Sequence, residues 1–271
     1  MTPLAYAEFA PGAAVHDLAL SYWCLTVRAL PRADYAHAVW PDGCLSVAVT
    51  LEHGEPVATP LLGPRRTPLT VPVTPGTQLW GIRFRPEMGA AFLGRPAPSL
   101  RDQAGPAHHW IGGDRVRRLD QAITQALAPF EPLPHSEDAA AAVSLALDRW
   151  LYDSADATMP PDQSIRDVVR AIVATEGKQQ IATIAELVGV SMRHLQRGFK
   201  DAVGLSPKEY AMIRRSRHGL QALLSTDGPE ARLARAAAES GYADPVHLAR
   251  DVHSLLRGTS AQLRQRLAGF A

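Results

Sequence analysis

Arg193, Gln196, Arg197 and Lys200 follow one another at i, i+3, i+4 and i+7, so on a helix they share one face. Their chemistry is that of base and phosphate recognition. A guanidinium fits guanine O6 and N7 bidentately, a carboxamide fits adenine N6 and N7, and an ammonium suits a phosphate. Leu195 and Phe199, four apart, fall on the opposite side. A helix that buries Leu and Phe while presenting two Arg, a Gln and a Lys can lie in a DNA major groove, which is wide enough to admit it.

The surrounding residues supply the elements that would hold such a helix in place. Ile181, Ile184, Ala185 and Val188 form a short apolar stripe at helical spacing, and Gly189 breaks it. Ser191 stands where an N-cap belongs, and the helix runs from Met192 to about Ala202. Gly204 turns the chain. Ser206, Pro207 and Glu209 then form a capping box with proline at the first helical position. A long helix follows from Lys208 to Leu224, with Ile213, Leu220 and Leu224 on one side. A second, weaker copy of the pattern comes next. Glu230 to Ser240 is helical, Gly241 to Asp244 turns with Asp244 as cap, and Pro245 opens a helix buried through Leu248, Val252 and Leu255. Gly258, Thr259 and Ser260 open a last helix that ends at Gly269. The exposed face of the second recognition-like helix offers Val246, Ala249, Arg250 and His253. That is one strong base-reading donor, with Val246 suited to a thymine methyl.

The ordered run Ala185, Gly189, Ser191, His194, Leu195, Arg197, Phe199, Lys200, Gly204, Ser206, Pro207, Tyr210 and Arg214 resembles the first helix-turn-helix of the AraC/XylS family of transcription regulators. The degenerate second copy resembles that family at Gly241, Tyr242, Asp244, His247, Leu248 and Arg250. It departs from it at Val246, at Val252 and His253, at Ala261 and at Arg264. The resemblance implies two helix-turn-helix motifs, about 181–202 and 230–254, joined by one rigid helix and spanning about one turn of duplex. Base readout falls to Arg193, Gln196 and Arg197 in one groove, and to Arg250 with Val246 and Ala249 in the next. The second motif mainly grips backbone. Lys178, Lys200, Arg214, Arg232 and Arg235 are the candidates for phosphate contact. Members are more often activators that contact RNA polymerase, although repression by occlusion uses the same residues.

Charge supports the division of labour. The 271 residues carry a net +1, but residues 1–162 hold 12 Lys and Arg against 17 Asp and Glu, a net −5, and residues 163–271 hold 16 against 10, a net +6. Counterion release from phosphates needs the cationic half. Proline divides the same way, with 19 of 22 before residue 163, so the front half is turn-rich and the rear half nearly all helix. Cys24 and Cys44 make neither a disulfide framework nor a zinc ligand set; reduced, buried thiols fit a cytoplasmic protein, and the alternative is a redox pair on neighbouring strands. No signal peptide and no apolar run near about 20 residues is expected.

The front half reads as short strands separated by Pro and Gly turns, which suggests a small sandwich or barrel. The strands are Leu18–Val27, Tyr35–Trp40, Cys44–Leu51, Val57–Leu62, Leu69–Val73 and Gln78–Phe84, after a lead-in over Met1–Pro11. Trp23, Pro41-Asp42-Gly43, Gly63-Pro64 and Gly81-Ile82-Arg83-Phe84-Arg85-Pro86, before Ala90 and Leu93-Gly94, resemble a cupin-like domain found ahead of AraC-type DNA-binding domains. Such domains bind a small effector, mediate dimers, or both. Arg95–Trp110 reads as loop. Helices over Asp114–Ala128 and Ser136–Tyr152 form a hairpin, whose apolar stripes serve equally well to link the halves or as a dimer seam.

The expected class is therefore α+β multidomain: a small cupin-like β-barrel with a helical hairpin, then an all-α double helix-turn-helix. The expected divisions are a sensor over 1–112, the hairpin over 113–153, a linker over 154–163 around Met159-Pro160-Pro161, and the DNA-binding domain over 164–271. Trp23, Trp40 and Trp80 could line an effector pocket with Arg83 as its charged anchor, or be ordinary core. No metal is expected, because His16, His37, His53, His108, His109 and His135 make no His-X-His pair on a strand. No phosphate loop or nucleophile elbow appears, so no cofactor and no enzymatic activity is expected. The expected partner is double-stranded DNA. RNA polymerase, a small-molecule effector and a homodimer stay open, and a membrane is not expected. The rival reading is a small-molecule binding or interaction protein whose rear half has lost DNA binding.

Overall fold

The computed structural model describes residues 4–30, 36–130, 136–155, 158–225 and 229–256. Among the described residues nine strands lie in the front half: β1 (Leu4–Phe9), β2 (Ala19–Val27), β3 (Ala36–Val39), β4 (Ser46–Glu52), β5 (Glu55–Ala58), β6 (Pro60–Leu62), β7 (Leu69–Pro72), β8 (Gln78–Phe84) and β9 (Ala104–Pro106). Seven of them form one antiparallel sheet in the order β1-β2-β8-β4-β6-β9, with β5 paired to β4; β3 and β7 form a separate two-stranded sheet. Among the described residues the large sheet does not close. The expected barrel is thus an open sheet with a small second sheet beside it.

Alternation of side chains decides what covers each face. Tyr22, Cys24, Val47, Val49, Leu51, Trp80, Ile82 and Phe84 point to one face and are buried there. They pack under α1 (Gly89–Leu93), α4 (Gly113–Leu127) and α5 (Glu137–Ser154), through Phe92, Leu119, Ile123, Leu127, Val143, Leu147 and Leu151. The apolar stripes of α4 and α5 therefore go into this core. On the other face Leu4, Trp23, Leu25, Val27 and Leu79 meet Val71 and Val73, which come from β7 and its end.

The segment expected as loop over Arg95–Trp110 contains α2 (Ala97–Leu100), β9 and α3 (His108–Ile111). Within the lead-in, β1 is an edge strand paired with β2 from Leu4 to Phe9. The strand expected over Val57–Leu62 divides at Thr59, where β5 ends and Pro60 opens β6. A bulge between Thr50 and Leu51 marks the same place on β4. Cys24 aligns with Trp80, and Trp80 with Val49. Cys44 lies five residues before Val49, about 16 Å away along the strand direction, so the two thiols cannot bond in this fold. Both are free and buried.

The rear half is helical: α6 (Gln163–Ala174), α7 (Ile181–Val188), α8 (Met192–Val203), α9 (Pro207–Ser225), α10 (Pro229–Glu239) and α11 (Pro245–Leu256). Its core runs from Ile165 through Phe199, Tyr210 and Ile213 to Leu248 and Leu256. Trp40 of the front half packs against this core. The last helix expected after Gly258, with Ala261 and Arg264, lies outside the described residues, as does His135.

Candidate nucleic-acid interface

The first motif is built from local signals. α7 ends at Gly189 in the left-handed region (φ 77°), a conformation that favours glycine. The N–H of Val190 donates back to the carbonyl of Ala185 and that of Gly189 to Glu186, which satisfies the helix end. Ser191 Oγ accepts from the His194 N–H at 3.2 Å and starts α8. Leu195 and Phe199 are fully buried, and the Phe199 ring lies 5.9 Å from that of Tyr210. Gly198 was not singled out in the sequence, yet α6 sits directly on it. A Cβ there would come within 2.9 Å of Ile165 Cδ1. Close seating on one side leaves Arg193, Gln196, Arg197 and Lys200 exposed on the other.

The second motif repeats the scheme with less on its outer face. Asp244 Oδ1 accepts from the His247 N–H at 2.7 Å. Leu248, Val252 and Leu255 are buried against α9 and α10, where the partners include Ala236 and Ala237. Val246 is 65% exposed, Arg250 and His253 are exposed, and Ala249 is half-buried. α8 therefore presents three groups able to make bidentate or directional base contacts, and α11 one.

The candidate phosphate contacts differ in availability. Lys178 and Lys200 are exposed, and the Lys178 stem lies over Gly241 in the turn of the second motif. Arg235 is exposed and paired with Glu239 at 2.7 Å, one turn along the same helix. Such a surface pair gives way readily to a stronger anion. Arg232 lies in α10, with its side chain outside the described residues. Arg214 is different. Its side chain is only 19% exposed and its Nη2 donates to Glu176 Oε2 at 2.8 Å. It sits one residue from buried Ile213 and faces the front half, so in this arrangement it is not open to a phosphate.

Two family models match the chain. That of a helix-turn-helix domain covers residues 184–266. That of a domain of unknown function (DUF6597) covers residues 7–106. The rear half is an AraC-type helix-turn-helix domain. The chain is accordingly a DNA-binding transcription regulator. Among solved structures it is similar to ToxT from Vibrio cholerae O395, at 10% identity and a TM-score of 0.47, over 99% of this chain and 100% of that one. It is likewise similar to an unsaturated fatty acid bound wild-type ToxT from Vibrio cholerae strain SCE256, at 10% identity and 0.43, over 96% and 94%. No curated protein matches. Among the described residues no helix is long and apolar enough to cross a membrane, and no three His, Cys, Asp or Glu side chains group as metal ligands.

The front half packs on the AraC-type domain through α1 and α2, which meet α8 and its Gly204 end, and it leaves Arg193, Gln196, Arg197 and Lys200 exposed. The four residues expected to share an effector pocket are dispersed. In the sheet Trp23 is opposite Gly81 while Trp80 is opposite Cys24, so the two indoles lie on opposite faces. Trp80 is buried in the core under the helices, Trp23 packs toward β7, and Trp40 packs on the AraC-type core. Arg83 is held by Asp42 Oδ2 at 2.6 Å and Glu8 Oε1 at 2.7 Å, and donates also to Ser21 Oγ and Tyr6 Oη. It borders a cavity of about 320 Å³ between the halves, facing Glu176, Arg214, Arg217 and His218.

Two acidic residues at the junction were not read as such from sequence. Glu209 Oε2 accepts from the Ser206 N–H at 2.7 Å, completing the expected capping box. Its other oxygen accepts from Arg66 and Arg101 of the front half, both at 3.1 Å. Burial alone would raise this carboxyl; the Ser206 bonds and Arg101 outweigh it and hold it below the ordinary range. Glu209→Gln keeps an acceptor for Ser206 but loses the charge. We expect unchanged helix content and faster proteolytic cleavage within residues 155–162 as the halves loosen; an unaltered cleavage rate would remove Glu209 as a tie.

Glu87 is 2% exposed, with Oε2 unpartnered. Burial raises its carboxyl, opposed by Arg85, Arg170 and Arg166. A raised pKa in the fold favours the protonated form. Its contribution to stability is thus present at low pH and lost as pH rises through the folded value. Glu87→Gln is expected to raise the melting temperature more at pH 7 than at pH 5. An equal change at both would contradict this sign.

Proposed function

We propose that this regulator reads two consecutive major grooves. Arg193, Gln196 and Arg197 contact base edges in the first, and Arg250, with Val246 and Ala249, enters the second. Lys178, Lys200, Arg232 and Arg235 grip phosphates. The carrying observation is that α8 buries Leu195 and Phe199 completely while its four polar side chains stay exposed on one face. In the same reading residues 1–112 are a cupin-like sensor, 113–153 its helical hairpin, 154–163 the linker and 164–271 the DNA-binding domain. A small-molecule effector enters the cavity beside Arg83 and Arg217 and changes how the halves sit. The exposed Leu145 and Tyr152, one above the other on the outer side of α5, suit a homodimer contact. Activation through RNA polymerase in the cytoplasm completes the reading.

The second reading is a small-molecule binding protein with a degenerate DNA-binding half, favoured by the single base-reading cation on α11. A gel shift on DNA upstream of the protein's own gene, at stepped salt, separates them. Binding that falls steeply with salt supports the regulator reading. No complex at about 50 mM salt supports the second.

A further inference from the structure

We infer that Arg215 and Asp251 are positioning residues for the second recognition helix, setting where Arg250 points. The Arg215 guanidinium lies over the Tyr242 ring, 4.4 Å from its centroid, and its Nη2 pairs with Asp251 Oδ2 at 3.5 Å. The Tyr242 hydroxyl donates to the same carboxylate oxygen at 3.1 Å. Tyr242 has only one hydroxyl proton, so Ser216 Oγ is the donor in the 3.2 Å contact between those two hydroxyls. Burial keeps the Tyr242 phenol protonated and able to serve as this donor. One network thus joins the connector helix α9, the motif's turn and α11.

The need for such a network lies in the core beside it. The first motif is wedged by Phe199 against Tyr210, two large rings that admit one seating. The second packs Leu248, Val252 and Leu255 beside Ala236 and Ala237, with Leu248 set over Gly219, and the ring on that side, Tyr242, is the one this network holds. A half-buried ion pair adds little net stability, but its best-attested use is to fix register. Asp251 is adjacent to Arg250, so its direction fixes that of Arg250 at about 100° around the helix. The Arg215 and Asp251 side chains are 26% and 14% exposed, too withdrawn to reach a base edge themselves.

The inference rests on the two-groove reading, and the test separates the two. The probe is a duplex that the full chain selects from a random-sequence pool. Its second half-site is the groove whose hydroxyl-radical protection Arg250→Ala removes. Arg215→Ala is expected to lose at least tenfold in affinity for this duplex and nothing for a duplex scrambled in the second half-site. Protection of the first groove should be retained. Arg215→Lys, which keeps the charge and loses the flat stack, should recover part of the loss. Asp251→Asn, nearly isosteric, should reproduce it even if Arg215→Ala folds poorly. Equal losses on both duplexes, or none on either, would overturn the inference. A wild-type footprint confined to one groove would overturn the two-groove reading and the inference with it.

Discussion

Arg197→Ala is expected to weaken binding to the selected duplex by about 5–150-fold, the equivalent of about 1–3 kcal/mol for one bidentate base contact. Binding to random DNA should change far less, so discrimination collapses at one base position. Arg197 is exposed beside Gln196 on α8, with Leu195 and Phe199 anchoring the opposite side, so the truncation removes a reader without disturbing the core. Lys178→Ala is the contrasting control. Lys178 lies outside both recognition helices, in the turn between α6 and α7. Its loss should weaken all sequences alike and reduce the slope of log K against log salt by about 1. A titration in which Arg197→Ala weakens specific and random duplexes by the same factor would take base reading away from this residue.

The largest effect on stability is expected at Phe199. The ring is fully buried and shared between α8 and the start of α9. Phe199→Ala removes it from a close-packed site and leaves a cavity, at a cost of about 3–5 kcal/mol. That is a large part of the about 5–15 kcal/mol that holds ordinary domains together. The urea midpoint should drop, and binding to specific and random DNA should fall together, the reverse of the Arg197 pattern. Phe199→Leu, which keeps most of the volume, should restore much of the loss. An unchanged urea midpoint in Phe199→Ala would mean that this ring does not hold the motif.

How much was legible in sequence follows from how local each signal is. The stop at Gly189, the Ser191 cap, the Ser206–Glu209 capping box and the Asp244 cap depend on residues within three or four positions, and all are in place. The front half depends on register between distant strands. Whether a sheet closes, and which face Trp23 or Trp80 takes, turns on a one-residue offset between β2 and β8 that no single strand reveals. β9 and the short helices α2 and α3 exist through pairing or packing with remote parts, so they carry little periodicity of their own. Arg214 shows the limit in the DNA-binding half. Its spacing suited an exposed cation, but the partner Glu176 and the covering front half are invisible along the chain. Glu209 was legible as a cap and not as an anchor for Arg66 and Arg101, more than a hundred residues upstream.

The loop at Gly43 has a bearing on protein engineering. Gly43 has φ 76°, and a Cβ there would fall 2.6 Å from the Tyr210 ring; Leu205 stands at van der Waals range beside it. Tyr210 and Leu205 are both fully covered, partly by this loop. The rear half is therefore not a portable cassette. Grafted onto an unrelated sensor it would bare an aromatic and an aliphatic surface directly behind its reading head, and a fusion would stay soluble only if the new sensor brought a lid of the same shape.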